Sequence, residues 1–287
     1  MRTGYTLYAL IALVCSSAAA RAEDAPSAST SAAQDFVAEW LARSDAAKES
    51  QPHWMTPVIT VTPRLEQEFR YDQSWQQRPA GRELDAYGNG KGLELIPFAN
   101  TELILGVPAY DRRENGTAGW ADETLLVKYR LLSANEEHGN YIVTAFLGVS
   151  LPTGSNAFTA HHSQYTPTLA FGKGWGDRER GVDIQSTLAL TIPASNVKGL
   201  GDPVVWNTAL QAHLARYLWP EFEVSYTYYH QGPNDGKNQV ALASGIVLGR
   251  FELNRRVRLI VGGAYQWTVS TFRVFEHTWL LTGRVTF

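Results

Sequence analysis

From residue 57 onward, apolar and polar positions alternate with a period of two, which predicts extended strands that each carry one apolar face. In 141–151, Tyr141, Val143, Ala145, Leu147, Val149 and Leu151 fall on one face, with Thr144, Gly148 and Ser150 on the other. In 181–192, Val182, Ile184, Leu188, Leu190 and Ile192 oppose Asp183, Gln185, Thr187 and Thr191. In 221–230, Phe222, Val224, Tyr226 and Tyr228 oppose Glu221, Glu223, Ser225 and Thr227. About eleven such runs recur, near 58–71, 92–106, 121–132, 140–151, 164–172, 181–192, 203–217, 220–230, 239–252, 257–269 and 274–287. Before them the period is helical. Phe36, Val37, Trp40 and Leu41 make one apolar stripe, with Asp35 and Glu39 early and Lys48 late, and this predicts a helix over 35–48. It reads either as a plug or docking helix, or as a lead-in that is helical only where something covers it.

Strand length decides between two architectures. The runs reach ten to fourteen residues, beyond the five or six usual in soluble sheets and enough for the nine to eleven that a tilted strand needs to cross a bilayer. In a soluble sandwich the apolar faces would point inward. In a transmembrane barrel they meet lipid, the polar faces line the lumen, and aromatic residues gather at both interfaces. Tyr71, Tyr110, Trp120, Tyr141, Trp175, Tyr217 and Trp219 lie near strand ends, as the barrel requires. At roughly twenty residues per strand and turn, 57–287 predicts an all-β, transmembrane antiparallel β-barrel of about 12 strands with a short N-terminal helical segment. An even count asks for one strand more than the eleven runs, from a split at Pro63 or from 157–163.

The two ends fit that expectation. Arg2, the apolar stretch Leu7–Val14 and the small residues through Ala20-Arg21-Ala22 follow the three-part pattern of a secretory signal peptide. The expected division is therefore 1–22 signal peptide, 23–56 Ala/Ser-rich and helical segment, and 57–287 barrel. Cleavage after Ala22 would remove Cys15, the one cysteine, so the exported chain would need no disulfide. At the other end Trp279, Leu281, Val285 and Phe287 share one face and close on an aromatic. This resembles the signal by which the outer-membrane barrel assembly machinery reads an edge strand. The expected location is the bacterial outer membrane, with its lipids and that machinery as partners.

Composition narrows the picture by exclusion. With 25 Lys+Arg against 28 Asp+Glu and 18% charged residues, neither a nucleic-acid binder nor a disordered polyelectrolyte is indicated. No P-loop or dinucleotide fingerprint is present, and no cofactor or metal is expected.

Several ordered motifs carry a resemblance to a known family. They are Gly119-Trp120-Ala121-Asp122-Glu123-Thr124-Leu125-Leu126-Val127-Lys128-Tyr129-Arg130-Leu131-Leu132, Val149-Ser150-Leu151-Pro152-Thr153-Gly154-Ser155, Leu169-Ala170-Phe171-Gly172-Lys173 and Gly201-Asp202-Pro203. Over about residues 60–287 the chain resembles the outer-membrane transporter family labelled "MetA-pathway of phenol degradation". The resemblance implies a barrel associated with uptake of small, often aromatic, compounds.

Parity places the candidate lumen residues: Arg64, Glu66, Glu68 and Arg70 as a mixed-charge ladder, then Lys128, Arg130, Asp183, Glu221, Glu223, Arg258 and Arg284. Leu126 and Leu132 fall on the Lys128 face, so the lumen is not expected to be uniformly polar. Such a lining serves either as a constriction that selects solutes or as a salt-bridge network that fills a narrow barrel. The expected role is passage of small molecules, aromatic or hydrophobic ones among them. The alternatives are a closed structural barrel, or a lipid hydrolase using His161 as base and Ser163 as nucleophile. A metal at the same histidines lacks a third ligand at useful spacing.

Overall fold

The computed structural model describes residues 28–88 and 91–287. The expected signal peptide, residues 1–22, lies outside the described residues. Two units divide the chain, Met1–Trp40 and Leu41–Phe287. Of the first, the described part is helical and belongs to α1, Ala28–Glu49. The helix starts earlier than the expected 35–48.

In the second unit, twelve strands close into a ring: β1 (Glu68–Arg78), β2 (Gly92–Phe98), β3 (Thr101–Leu105), β4 (Glu123–Ala134), β5 (Tyr141–Leu151), β6 (Gln164–Gly176), β7 (Gly181–Leu190), β8 (Val204–His213), β9 (Leu218–Tyr228), β10 (Asn238–Glu252), β11 (Arg258–Thr268) and β12 (His277–Thr286). Each pairs antiparallel with the next, and β12 returns to β1 through Trp75↔Trp279 and Arg70↔Arg284. Closure gives every wall strand two neighbours, so no edge is left to face hydrocarbon. Short strands at Arg82–Tyr87, Tyr110–Arg113 and Ala118–Trp120 extend the wall beyond β1.

The expected even count is met, by a different route from the one the alternation suggested. The run 92–106 is two strands, because Ala99 and Asn100 form a turn between β2 and β3. The first run is displaced: β1 starts at Glu68, and residues 57–67 belong to no strand.

The direction of each face follows from exposure. Leu169, Leu188, Leu210 and Leu281 are each more than half exposed, while Lys128, Asp183, Gln185, Gln211 and Arg284 are 0% exposed. Outward rows run across the strands, as in Leu169↔Leu188↔Trp206. The apolar faces thus point away from the ring and the charges into it, the arrangement that lipid on one side demands.

Two positions depart from simple alternation. A β-bulge between Arg130 and Leu132 shifts the register of β4, so Leu132 turns outward and is exposed rather than sharing the lumen face of Lys128. Trp219 shares the inward face of Glu221, is 3% exposed, and stacks on His213 at 3.9 Å between ring centroids. The other six strand-end aromatics are exposed.

The two ends of the ring differ. At the end that holds Phe287 the connections are short: 99–100, 135–140, 177–180, 214–217 and 253–257. At the other end they are 79–91, 106–122, 152–163, 191–203, 229–237 and 269–276.

Candidate functional site

The lumen is occupied by the chain itself. Pro52, Pro57 and Pro63 each lack an N–H, so residues 51–67 are poorly suited to a strand ladder and must satisfy their backbone groups elsewhere. The segment closes on itself at its base. The Gln51 side chain donates to the Leu65 carbonyl at 2.8 Å and accepts from the Leu65 N–H at 2.9 Å. Arg64 donates to the carbonyls of Pro52 and Trp54 and pairs with Glu66 at 2.9 Å. Ala47 at the end of α1 packs with Leu65 and with Ile96 of β2.

The tip of this plug, residues 56–60, is suspended between two oppositely charged strips of wall. Arg284 donates to the carbonyls of Thr56 and Pro57, and Arg70 donates to that of Val58 at 2.7 Å. Glu221 accepts from the Val58 N–H at 3.1 Å; Glu223 accepts from those of Ile59 at 2.8 Å and Thr60 at 2.6 Å. The peptide dipoles thus lie along the field between cations on β1 and β12 and anions on β9. Arg70 and Arg284 are direct cross-strand partners, a like-charge pairing that is unfavourable alone. Asp72 at 2.7 Å from Arg70 and the plug carbonyls offset it.

The flanks are held in the same way. Lys128 donates to the Arg64 carbonyl at 3.0 Å and pairs with Glu102, its cross-strand partner, at 3.0 Å. Glu102 also accepts from the Glu66 N–H, Gln185 donates to the Met55 carbonyl, Thr144 to that of Pro63, and Arg250 to those of His53 and Trp54. One patch is apolar: Trp54, Met55 and Val58 of the plug pack with Ile142, Trp219, Val247, Ile260 and Ala264 of the wall. The Trp54 indole lies flush on β6. A Cβ at Gly172 would sit 2.4 Å from Trp54 Cζ3, and one at Gly174 would sit 2.4 Å from its Nε1. Only glycine leaves room for the ring there.

Of the residues singled out by parity, Glu68, Arg70, Lys128, Asp183, Glu221, Glu223 and Arg284 are buried wall residues. Arg64 and Glu66 are buried too, but they lie in the plug and not on a strand. Arg130 sits at the short-turn end, where it donates to the Ala47 carbonyl at 2.8 Å and the Ala99 carbonyl at 2.9 Å and so caps α1. Arg258 is exposed at the first position of β11. Sequence reasoning missed Gln51, Trp54, Glu102 and Arg250. The spaced prolines were the available signal.

At the base of the plug, Glu136 in the 135–140 turn accepts from the His53 backbone N–H at 2.6 Å and binds His53 Nδ1 at 2.8 Å. Burial pushes the Glu136 carboxyl up, but the hydrogen bonds from the His53 side chain and backbone prevail and hold it at about 2, against an ordinary 4.5. A carboxyl depressed on folding stabilises the folded state in full above its unfolded pKa, and the contribution drains as pH falls toward the folded one. Hydrogen exchange at the amides of 53–55 is therefore expected to stay constant from pH 7 to 5, after correction for intrinsic rates, and to lose protection between 4.5 and about 2. In Glu136→Gln most of that pH dependence should vanish.

The His161/Ser163 pairing considered for hydrolysis is not formed as a hydrogen bond. His161 has a left-handed backbone, φ 59°, and it is His162 whose Nδ1 lies 2.8 Å from the Ser195 hydroxyl. Among the described residues no group of three or more His, Cys, Asp or Glu is placed to hold a metal ion.

Solved structures similar to this chain include the NanC porin (11% identity, TM-score 0.44, covering 76% of this chain and 98% of that one) and the KdgM porin (7%, 0.45, 76% and 99%). Another is the COG4313 outer membrane channel from Pseudomonas putida F1 (12%, 0.48, 75% and 91%). No curated protein matches the chain. The family model described as "Putative MetA-pathway of phenol degradation" matches residues 65–275, and the chain belongs to that family.

Proposed function

We propose that the chain is an outer-membrane channel for small molecules, aromatic ones among them, and that residues 51–67 are its gate. The observation that carries this reading is how the plug is held. Its backbone is bound largely by side chains of a polar wall, groups that water can serve in turn once the segment leaves. A permanent filling would be expected to pack as a dry apolar core. The larger apolar patch receives an aromatic ring, Trp54, which also lies against Gly172 and Gly174. Displacing the plug would vacate a ring-sized slot on an otherwise polar route, and the family's description points to aromatic compounds.

The rest of the reading follows the same architecture. Short turns mark the periplasmic end of such barrels, so Phe287 and the base of the plug face the periplasm. The chain reaches the membrane through a cleaved signal peptide. The assembly machinery reads Trp279, Leu281, Val285 and Phe287; the first two stand outward and exposed on the closing strand, which supports this role. Proteoliposome uptake tests the proposal. Vesicles holding the full chain should take up 4-hydroxybenzoate faster than protein-free vesicles, and faster than they take up arabinose. Equal rates with and without protein would leave a closed structural barrel.

A further inference from the structure

At the short-turn end, beside the base of the plug, lies a half-open cavity of about 320 Å³ whose charge is out of balance. Six Lys and Arg side chains line it against three Asp and Glu. The acids are already engaged. Asp45 takes two 2.9 Å bonds from Arg256 and has Lys48 at 3.7 Å. Glu66 pairs with Arg64, and Glu49 pairs with Arg178 and His53. Arg250 is turned to the neutral carbonyls of His53 and Trp54. Among the described residues, Arg255 and Arg258 have no carboxylate partner at all. Arg255 lies in the 253–257 turn and Arg258 starts β11, and the main-chain oxygen of Phe287, which accepts from Lys48 at 3.3 Å, lies beside the same cavity.

We propose that this cavity binds a small organic carboxylate that carries an aromatic ring. Like charges gathered around one concavity repel each other, and an anion relieves that repulsion. Guanidinium groups match a carboxylate through two parallel N–H bonds. The arginine stems offer the ring an apolar wall. The volume lies at the lower end of small-molecule sites, ~300–1,000 Å³. The position sets the site beside the plug, so an aromatic acid arriving from the periplasmic side, or leaving toward it, meets these arginines first. Binding here is an equilibrium property of the mouth and stands whether or not the lumen conducts.

Calorimetry on the full chain in detergent tests it with sodium benzoate as the probe, and with phosphate and phenol as controls for charge without a ring and a ring without charge. Benzoate should bind more tightly than either control and lose affinity as salt is added. The double variant Arg255→Gln/Arg258→Gln changes two exposed side chains and should weaken benzoate binding about tenfold or more. Unchanged affinity in the double variant overturns the site. Phenol binding as tightly as benzoate overturns the carboxylate, and phosphate binding more tightly than benzoate overturns the aromatic acid. Uptake experiments cannot mask these outcomes, because no flux is measured.

Discussion

Removing residues 51–67 should raise the conductance of the barrel in planar bilayers by at least roughly a hundredfold. The estimate rests on the bonds that hold the plug. Three of them, at about 1 kcal/mol net each, already keep a displaced plug below about one per cent of the population. Many more than three are present, from Arg284, Arg70, Glu221, Glu223, Lys128, Thr144, Gln185 and Arg250. The deletion is clean in principle because the ends of the segment meet: Gln51 is hydrogen-bonded to Leu65 in both directions, and β1 starts at Glu68. The wall side chains left behind would be hydrated in an open lumen. A deletion variant that conducts no better than the full chain would mean that the wall, and not the plug, closes the barrel.

The second large effect is expected at Arg284. Its side chain is 0% exposed and donates to the carbonyls of Thr56 and Pro57 and to the Thr282 hydroxyl. Arg284→Ala removes the cation and leaves two plug carbonyls without a donor, at a cost of about 1–3 kcal/mol for each. Arg258→Ala removes the same chemistry from an exposed position and should stay within about 0.5 kcal/mol. Urea unfolding of both variants in detergent micelles gives the comparison. A loss below about 1 kcal/mol at Arg284 would show that water replaces it and that the lumen is wet around the plug tip.

Strand-by-strand, the barrel is readable in the residues because the signal is local. The alternation of Val182, Ile184 and Leu188 with Asp183, Gln185 and Thr187 records lipid on one side and charge on the other, and that pattern repeats around the ring. Errors arose where one residue changes the phase. The bulge beside Arg130 turned Leu132 outward. The turn at Ala99-Asn100 hid a strand inside one apolar run. Trp219 passed for an interfacial aromatic because residue type was weighed above parity. The plug was harder to see. Arg64 and Glu66 continue the alternation of Glu68 and Arg70, so periodicity alone extended β1 backward through them. An irregular segment whose backbone is bonded by side chains far along the chain leaves no periodic trace, with Thr56 and Arg284 228 residues apart. Only Pro52, Pro57 and Pro63 marked the stretch as unsuited to a ladder.

The claim that the plug must move for solute to pass is tested most directly by tying it down. Thr62 Oγ1 donates to Gln185 Oε1 at 2.7 Å across the plug–wall boundary, and Cys15 is the one native cysteine. In a Cys15→Ser background, Thr62→Cys and Gln185→Cys can be joined by a short dithiol-reactive bridge that a reductant cleaves. Bridged protein should take up 4-hydroxybenzoate no faster than protein-free vesicles, and reduction should restore the rate. Uptake by the bridged protein at the unbridged rate would contradict the gate.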